Sequence, residues 1–103
     1  MDIQIKQGPQ CHTSNCYTYR NGDIKYIVIH FTSNNGDTAL NNCNYFSGAN
    51  RGASAHYFIG DDGIYQSVPD NWAAWAVGGT NIYKHRYCRN MNSISIEMCS
   101  RIG

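Results

Sequence analysis

Two side chains able to bind a metal and to move a proton stand near the ends of two strand-like segments: His30 and Glu97. A neutral imidazole is a common zinc ligand, and open α/β sheets place their ligands at the ends of strands. A carboxylate in the same place can accept a proton from water. Each residue also has an ordinary interpretation, as a hydrogen-bonded structural histidine and as a solvated carboxylate on an outward strand face.

The segments that carry these two residues have different hydrophobic patterns. Residues 26–31 form a nearly continuous β-branched and aromatic run, which predicts a strand buried on both faces at the centre of a sheet. Residues 93–99 alternate polar and apolar side chains, which predicts a strand with one inward face. On this strand Glu97 lies on the face opposite Ile94, Ile96 and Met98.

A helix and a hairpin are predicted between these two strands. Asp37 can cap a helix through about Phe46, with an apolar face of Ala39, Leu40, Cys43 and Phe46. Residues 55–59 and 64–68 flank an Asp62-Gly63 turn and predict an antiparallel pair. The predicted fold is therefore α/β, with a mixed central β-sheet and flanking helices.

The remaining segments are polar or rich in turn formers. Residues 1–24 predict a loop-like N-terminal arm, and residues 25–103 form the predicted domain. Residues 70–89 hold both tryptophans and little periodicity, which is typical of an ordered surface loop that lines a binding site. Aromatic residues make up 13% of the chain, including eight tyrosines, and suit either a groove that stacks on sugar-like ligands or simple core filling.

The bulk properties exclude some partners. The 103 residues carry a formal net charge of +1, which implies no broad attraction to nucleic acid or to an anionic membrane. The start of the sequence has no apolar run of the kind a signal peptide needs, so we expect synthesis in the cytoplasm.

Five cysteines, an odd number, favour reduced thiols over a complete disulfide framework. Cys43 and Cys99 are expected to pack as small hydrophobic residues. Two pairs with ligand-like spacing, His85 with Cys88 and His12 with Cys16, remain candidates for adventitious metal binding.

Four segments in order carry a family resemblance: IVIHFT (27–32), SAHYFI (54–59), QSVP (66–69) and SISIEM (93–98). Over about residues 25–100 the chain resembles the zinc-dependent N-acetylmuramoyl-L-alanine amidases of phage endolysins, which are related to bacterial amidases and peptidoglycan recognition proteins. The resemblance implies their fold and an action on bacterial peptidoglycan in the cell wall, where the amide between N-acetylmuramic acid and L-alanine is hydrolysed.

The resemblance also implies roles for particular residues. His30 corresponds to the first Zn²⁺ ligand, and Glu97 to the glutamate that accepts a proton from zinc-bound water or orients it. Trp75 and Gly78 are expected to shape the substrate groove. His56 is expected to line the cleft or to hold neighbouring backbone, rather than to bind metal.

Two departures weaken the match. Many members have a histidine in an Ala-Trp-His-x-Gly loop, whereas this sequence has Ala76 at that position. The remaining zinc ligands and a lysine belong to a C-terminal segment of the family, so we expect these residues to represent the N-terminal two thirds of the domain. The alternatives are a catalytically inactive peptidoglycan-binding module, and a chain that self-associates through a sheet face without a covering helix.

Overall fold

A computed structural model describes residues 3–77 and 85–99. The elements within these residues are β1 (Ile5–Gln7), β2 (Cys16–Tyr17), β3 (Tyr26–Phe31), α1 (Ala39–Phe46), β4 (Tyr57–Gly60), β5 (Gly63–Gln66), β6 (Ala73–Ala74) and β7 (Ser93–Met98). Five of the described strands form a sheet in the order β1-β5-β4-β7-β3, in which the β4–β5 pair is antiparallel and the other pairs are parallel, and β2 pairs antiparallel with β6. The mixed α/β architecture is as predicted.

The predicted hairpin is confirmed as β4 and β5, joined through Asp61 and Asp62. Gly63 adopts φ 118°, a backbone conformation that residues with a Cβ atom rarely adopt. The two strands are shorter than the patterns indicated, and β4 rather than β3 occupies the middle of the sheet.

β3 lies at the edge of the sheet, so its prediction as a central strand buried on both faces is wrong. It pairs only with β7, and Ile27, Ile29 and Phe31 are 68%, 61% and 66% exposed. Nothing within residues 3–77 and 85–99 covers that face. Hydrophobicity alone cannot distinguish a strand that is covered within the chain from one whose apolar face remains open.

β7 alternates as predicted, but the face that it buries is the polar one. Ser93 and Ser95 are buried, whereas Ile94 and Ile96 are half-buried and Met98 is exposed. Ser95 is buried against His56, a residue distant in the sequence: the Ser95 N–H donates to the His56 Nδ1, and the Ser95 Oγ lies 3.3 Å from the same nitrogen. Glu97 therefore lies on the covered face of the sheet.

α1 ends at Phe46 as predicted but begins one residue later than an Asp37 cap requires. Thr38 is the N-cap: its hydroxyl accepts from the Asn41 N–H, and Asn41 reciprocates in a capping box. Leu40, predicted on the apolar face, is exposed, and Ala39 and Cys43 are fully buried. The helix thus packs against the sheet through a narrower stripe.

The main core lies between α1 and one sheet face. It contains Ala39, Cys43, Ala55 and Phe58, with Phe46, Tyr65 and Cys99 packed around them. Cys43 thus packs as predicted. We call this side of the sheet the covered face. We call the other side, with exposed Ile5, Ile27, Ile29, Phe31 and Met98, the bare face.

The N-terminal residues are more integrated than a loop-like arm. β1 extends the sheet beside β5, and β2 pairs with β6. Arg20 donates hydrogen bonds to the backbone carbonyls of Asp70, Trp72, Met91 and Ser93 at 2.8–3.1 Å. Across residues 3–77 and 85–99, no helix is long and apolar enough to cross a membrane.

Candidate active site

His30 and Glu97 are neighbours on the covered face. β3 and β7 run parallel in a register that places His30 opposite Glu97, and paired residues of neighbouring strands point to the same side of a sheet. The His30 Nδ1 and a Glu97 carboxylate oxygen are 3.9 Å apart. Two residues far apart in the sequence thus form a partly open imidazole–carboxylate pair.

The carboxyl of Glu97 has a perturbed pKa. Burial raises the pKa of its carboxyl, the nearby His30 lowers it, and the charge of Asp37 raises it again, with a net upward shift. Its Oε2 is buried and has no hydrogen-bond partner among residues 3–77 and 85–99. A buried acceptor without a donor is costly unless something else supplies one, so this atom is suited to receive a proton or a hydrogen bond from a ligand.

A cleft of about 580 Å³ opens over this pair. Its lining includes His30, Glu97, Phe46, Phe58 and Asn90, residues 52–55, and Tyr17 with residues 75–77, which we call the wall at residues 75–77. A wider depression of about 890 Å³ along β3 also reaches His30 but is not lined by Glu97. The smaller cleft is the candidate active site because it joins both reactive groups.

Hydrogen bonds from two directions hold the wall at residues 75–77. Ser54 binds the Trp75 backbone twice, through its own N–H to the Trp75 carbonyl and through its hydroxyl oxygen, which accepts from the Trp75 N–H. The amide oxygen of Asn90 accepts from the N–H groups of Ala76 and Val77. Trp75 therefore lines the cleft from a fixed backbone, whereas Gly78 falls outside the described residues.

His56 holds backbone and does not line the cleft. It is 1% exposed; the Ser95 N–H donates to its Nδ1, so Nε2 carries the proton and lies 2.9 Å from the Trp72 carbonyl oxygen. Burial lowers the pKa of His56, which keeps the ring neutral. The predicted contact with substrate has no exposed surface to use, and of the two predicted roles only the structural one fits.

The described residues do not contain a complete metal site. In residues 3–77 and 85–99 no group of three histidine, cysteine, aspartate or glutamate side chains could hold a metal ion, whereas a catalytic zinc takes three protein ligands. His30 fits one ligand position, and the unpartnered Glu97 oxygen fits the place of a group that acts on bound water.

The two ligand-like pairs are engaged in local structure. The His85 Nδ1 accepts from the N–H groups of Tyr87 and Cys88, and Cys88 is buried. The His12 Nδ1 accepts from the Ser14 N–H, and Cys16 is buried. Neither pair presents an open site.

Two cleft residues escaped the sequence patterns. Tyr17 lies in the segment predicted as an arm, and Asn90 lies in a segment without periodicity. The pairing of β2 with β6 brings Tyr17 to the cleft, and the turn before β7 brings Asn90. Both depend on contacts between distant segments, so only the high tyrosine content hinted at one of them.

The fold and the cleft together define a class of α/β protein with a histidine–glutamate pair at the ends of two parallel strands. Residues 20–103 match the model of the Amidase_2 family, the N-acetylmuramoyl-L-alanine amidases. The chain belongs to this family.

Relatives and solved structures agree with this assignment. The chain is 33% identical over 84 residues to the amidase CwlL of Bacillus licheniformis, covering 74% of this chain and 23% of the relative. It is 36% identical over 76 residues to the amidase XlyB of Bacillus subtilis, covering 73% and 22%. The chain thus spans less than a quarter of the length of these curated relatives.

The chain covers a larger share of the solved structures that resemble it. A mutant endolysin from Bacillus subtilis aligns with a TM-score of 0.76 and 28% identity, over 97% of this chain and 63% of that one. PlyL aligns with a TM-score of 0.71 and 31% identity, over 97% and 58%. The predicted family and fold are therefore confirmed.

Proposed function

We propose that this chain carries part of the active site of a zinc-dependent N-acetylmuramoyl-L-alanine amidase that hydrolyses the amide between N-acetylmuramic acid and L-alanine in bacterial cell walls. The observation that supports the proposal is the placement of His30 beside Glu97, at 3.9 Å, within one cleft. The cell wall as the place of action, cytoplasmic synthesis, and residues 25–103 as amidase domain belong to the same proposal. Because β1 and β2 pack into the fold, we include residues 3–24 in the working unit.

His30 is proposed as one ligand of Zn²⁺, with the others supplied from outside the described residues. When bound, zinc supplies Lewis-acid polarisation of the amide carbonyl and lowers the pKa of its water. Glu97 then accepts the proton of the attacking water and passes it towards the leaving amine of L-alanine. Its raised pKa suits this work, because the carboxylate takes up a proton more readily than an exposed glutamate does.

The rest of the site positions the substrate. Trp75 is proposed to contact it from the hydrogen-bonded wall, and Gly78 is proposed to shape the same groove. His56 contributes by fixing Ser95, two residues before Glu97 on β7. Ala76 offers only a methyl group where many relatives have an imidazole, so this wall supplies shape rather than proton transfer.

A second candidate function is a peptidoglycan-binding module without catalysis. Ala76 favours it, because a methyl group can neither transfer a proton nor hydrogen-bond to a substrate. In this interpretation the cleft still receives the muropeptide, and Trp75 still contacts it. The two functions differ in zinc content and in bond cleavage.

The test measures zinc per chain, binding to purified cell walls and release of free alanine amino groups. We expect Glu97→Gln to keep zinc and wall binding and to lose at least about 100-fold in hydrolysis. His30→Ala should lose zinc as well, whereas His12→Ala, outside the cleft, should resemble the wild type in all three. Wall binding without zinc or cleavage in the wild type would establish the binding module, and full hydrolysis by Glu97→Gln would remove the role of Glu97.

A further inference from the structure

A ridge of three aromatic rings leads out of the cleft. The Trp75 ring meets Tyr17 edge-on, with 5.4 Å between ring centroids and 74° between planes. Tyr17 in turn lies beside Tyr19, at 5.6 Å and 52°. Trp75 and Tyr17 line the cleft that contains His30 and Glu97. The aromatic ridge, defined as Trp75, Tyr17 and Tyr19, thus begins at the reactive pair and continues away from it.

The outer part of the ridge is not core. Tyr17 is 39% exposed and Tyr19 is 50% exposed. The core on this side of the molecule instead consists of Cys11, Cys16, Val68 and Ala74, with Phe46 and Trp72 packed against it. Two neighbouring tyrosines that leave this much ring surface in water, next to a cleft, have a surface free for a ligand.

The segment that carries the ridge is held in place from both sides. Tyr17 pairs with Ala73 between β2 and β6, which fixes its backbone relative to the Trp75 wall. On the far side, the Arg20 guanidinium is bound to four backbone carbonyls. The rings are therefore positioned before a ligand arrives, which lowers the entropy lost on binding.

The chemistry of the ridge favours a neutral, flat ligand. The Arg20 guanidinium, next to Tyr19 in the sequence, donates to backbone carbonyls, so it offers little to the carboxylates of a peptide. Aromatic faces carry negative partial charge and attract the polarised C–H groups on the face of a sugar ring. Tyrosine adds a hydroxyl that hydrogen-bonds to sugar hydroxyls or N-acetyl groups.

We propose that Tyr17 and Tyr19 form a saccharide subsite that extends the cleft and stacks on N-acetylated hexose rings of the glycan strand. This inference rests on the proposed function, because it takes the cleft as the place where the amide next to the sugar is held. The ridge would then add contacts to the glycan beyond the sugar whose lactyl amide is held in the cleft.

The experiment uses a soluble N-acetylglucosamine tetramer, which has the sugar chemistry and no peptide, with binding followed by calorimetry. Tyr17→Ala and Tyr19→Ala should each weaken binding by about three- to tenfold, as expected for loss of one aromatic contact. Tyr17→Phe should bind like the wild type within about twofold, because the ring face remains. Tyr87→Ala, at an exposed tyrosine outside the cleft, should leave binding unchanged.

Glycan binding can be separated from hydrolysis. Glu97→Gln should bind the tetramer like the wild type. A wild-type protein that binds the tetramer but does not hydrolyse the amide would support the subsite and contradict the proposed enzyme activity. Unchanged binding by both Tyr17→Ala and Tyr19→Ala would overturn the subsite, as would a folded wild-type protein that does not bind the tetramer. Because Tyr19 lies outside the strands, its variant tests the subsite even if Tyr17→Ala disturbs β2.

Discussion

The two faces of the five-stranded sheet differ in polarity, and the face that α1 covers is the more polar one. The covered face packs against α1, yet it carries the polar residues His30, Ser95 and Glu97 beside Phe58. The bare face carries almost unbroken rows of apolar side chains, of which Ile27, Ile29 and Phe31 are mostly exposed. In this protein the chemistry lies on the face where packing fixes geometry, and apolar character by itself does not mark the face that α1 covers.

The largest effect should come from removing the same side chain on each face. Phe58→Ala should lower the free energy of unfolding by about 3–5 kcal/mol, because the ring is fully buried under α1. Phe31→Ala, on the bare face, should cost less than about 1 kcal/mol. Urea unfolding measures both. Equal costs would show that the bare face is covered in solution.

A second prediction compares a buried histidine with an open one. His56→Ala should cost about 2–4 kcal/mol, because it leaves the buried Ser95 N–H without its acceptor and opens a cavity. His30→Ala, in the open cleft, should change stability little.

The pH dependence of unfolding separates these two histidines further. Since burial lowers the pKa of His56, the unfolded chain binds more protons than the folded chain between that lowered pKa and about 6.5. Wild-type stability should therefore rise as the pH rises through this window, and His56→Ala should flatten the rise. A slope that survives in His56→Ala would assign the effect to another group.

A smaller and opposite effect is expected at Glu97. Its raised pKa means that the folded state holds a proton more tightly than the unfolded state, so wild-type stability falls as the pH rises through that pKa. Glu97→Gln should thus stabilise the protein at pH 7 by a few tenths of a kcal/mol, a gain limited by solvent screening, and the gain should vanish in acid. Thermal unfolding at both pH values tests this, and a destabilised variant would contradict it.

The last prediction concerns association through the bare face rather than stability. Ile29→Thr should change the free energy of unfolding by less than about 1 kcal/mol, because the side chain is mostly exposed. It should also reduce self-association through apolar contact between copies, as measured by light scattering at increasing concentration. Val28→Thr, the adjacent residue on the opposite face, is the matched control and should not reduce association. A wild-type protein that stays monomeric would remove the self-association hypothesis.

Local features of this fold were readable in the sequence. The Asp62-Gly63 turn fixed the hairpin, and apolar spacing located α1, because both depend on neighbouring residues. The buried face of β7 was predicted wrongly, because Ser95 is buried in a hydrogen bond with His56, and this contact joins distant segments of the sequence. The position of β3 was misjudged for a related reason, since a strand pattern does not say how many neighbours the strand has.

The site was predictable to a similar extent. The ordered segments indicated His30 and Glu97, and the structure brings these two together. Trp75 lines the cleft, whereas His56 turned inward because its two nitrogens are taken by backbone groups. Tyr17 could not be found in this way, because its place depends on the pairing of β2 with β6.

The pairing of β3 with β7 also governs when the reactive pair can exist. Tyr26 pairs with Ser93, so the strand that presents His30 gains its only sheet neighbour from the far end of the described chain. Contacts between such distant segments form slowly, because the loop between them must close first. A chain emerging from the ribosome therefore holds His30 without Glu97 until β7 has been made and has docked. The timing of synthesis itself keeps an incomplete chain from assembling this pair.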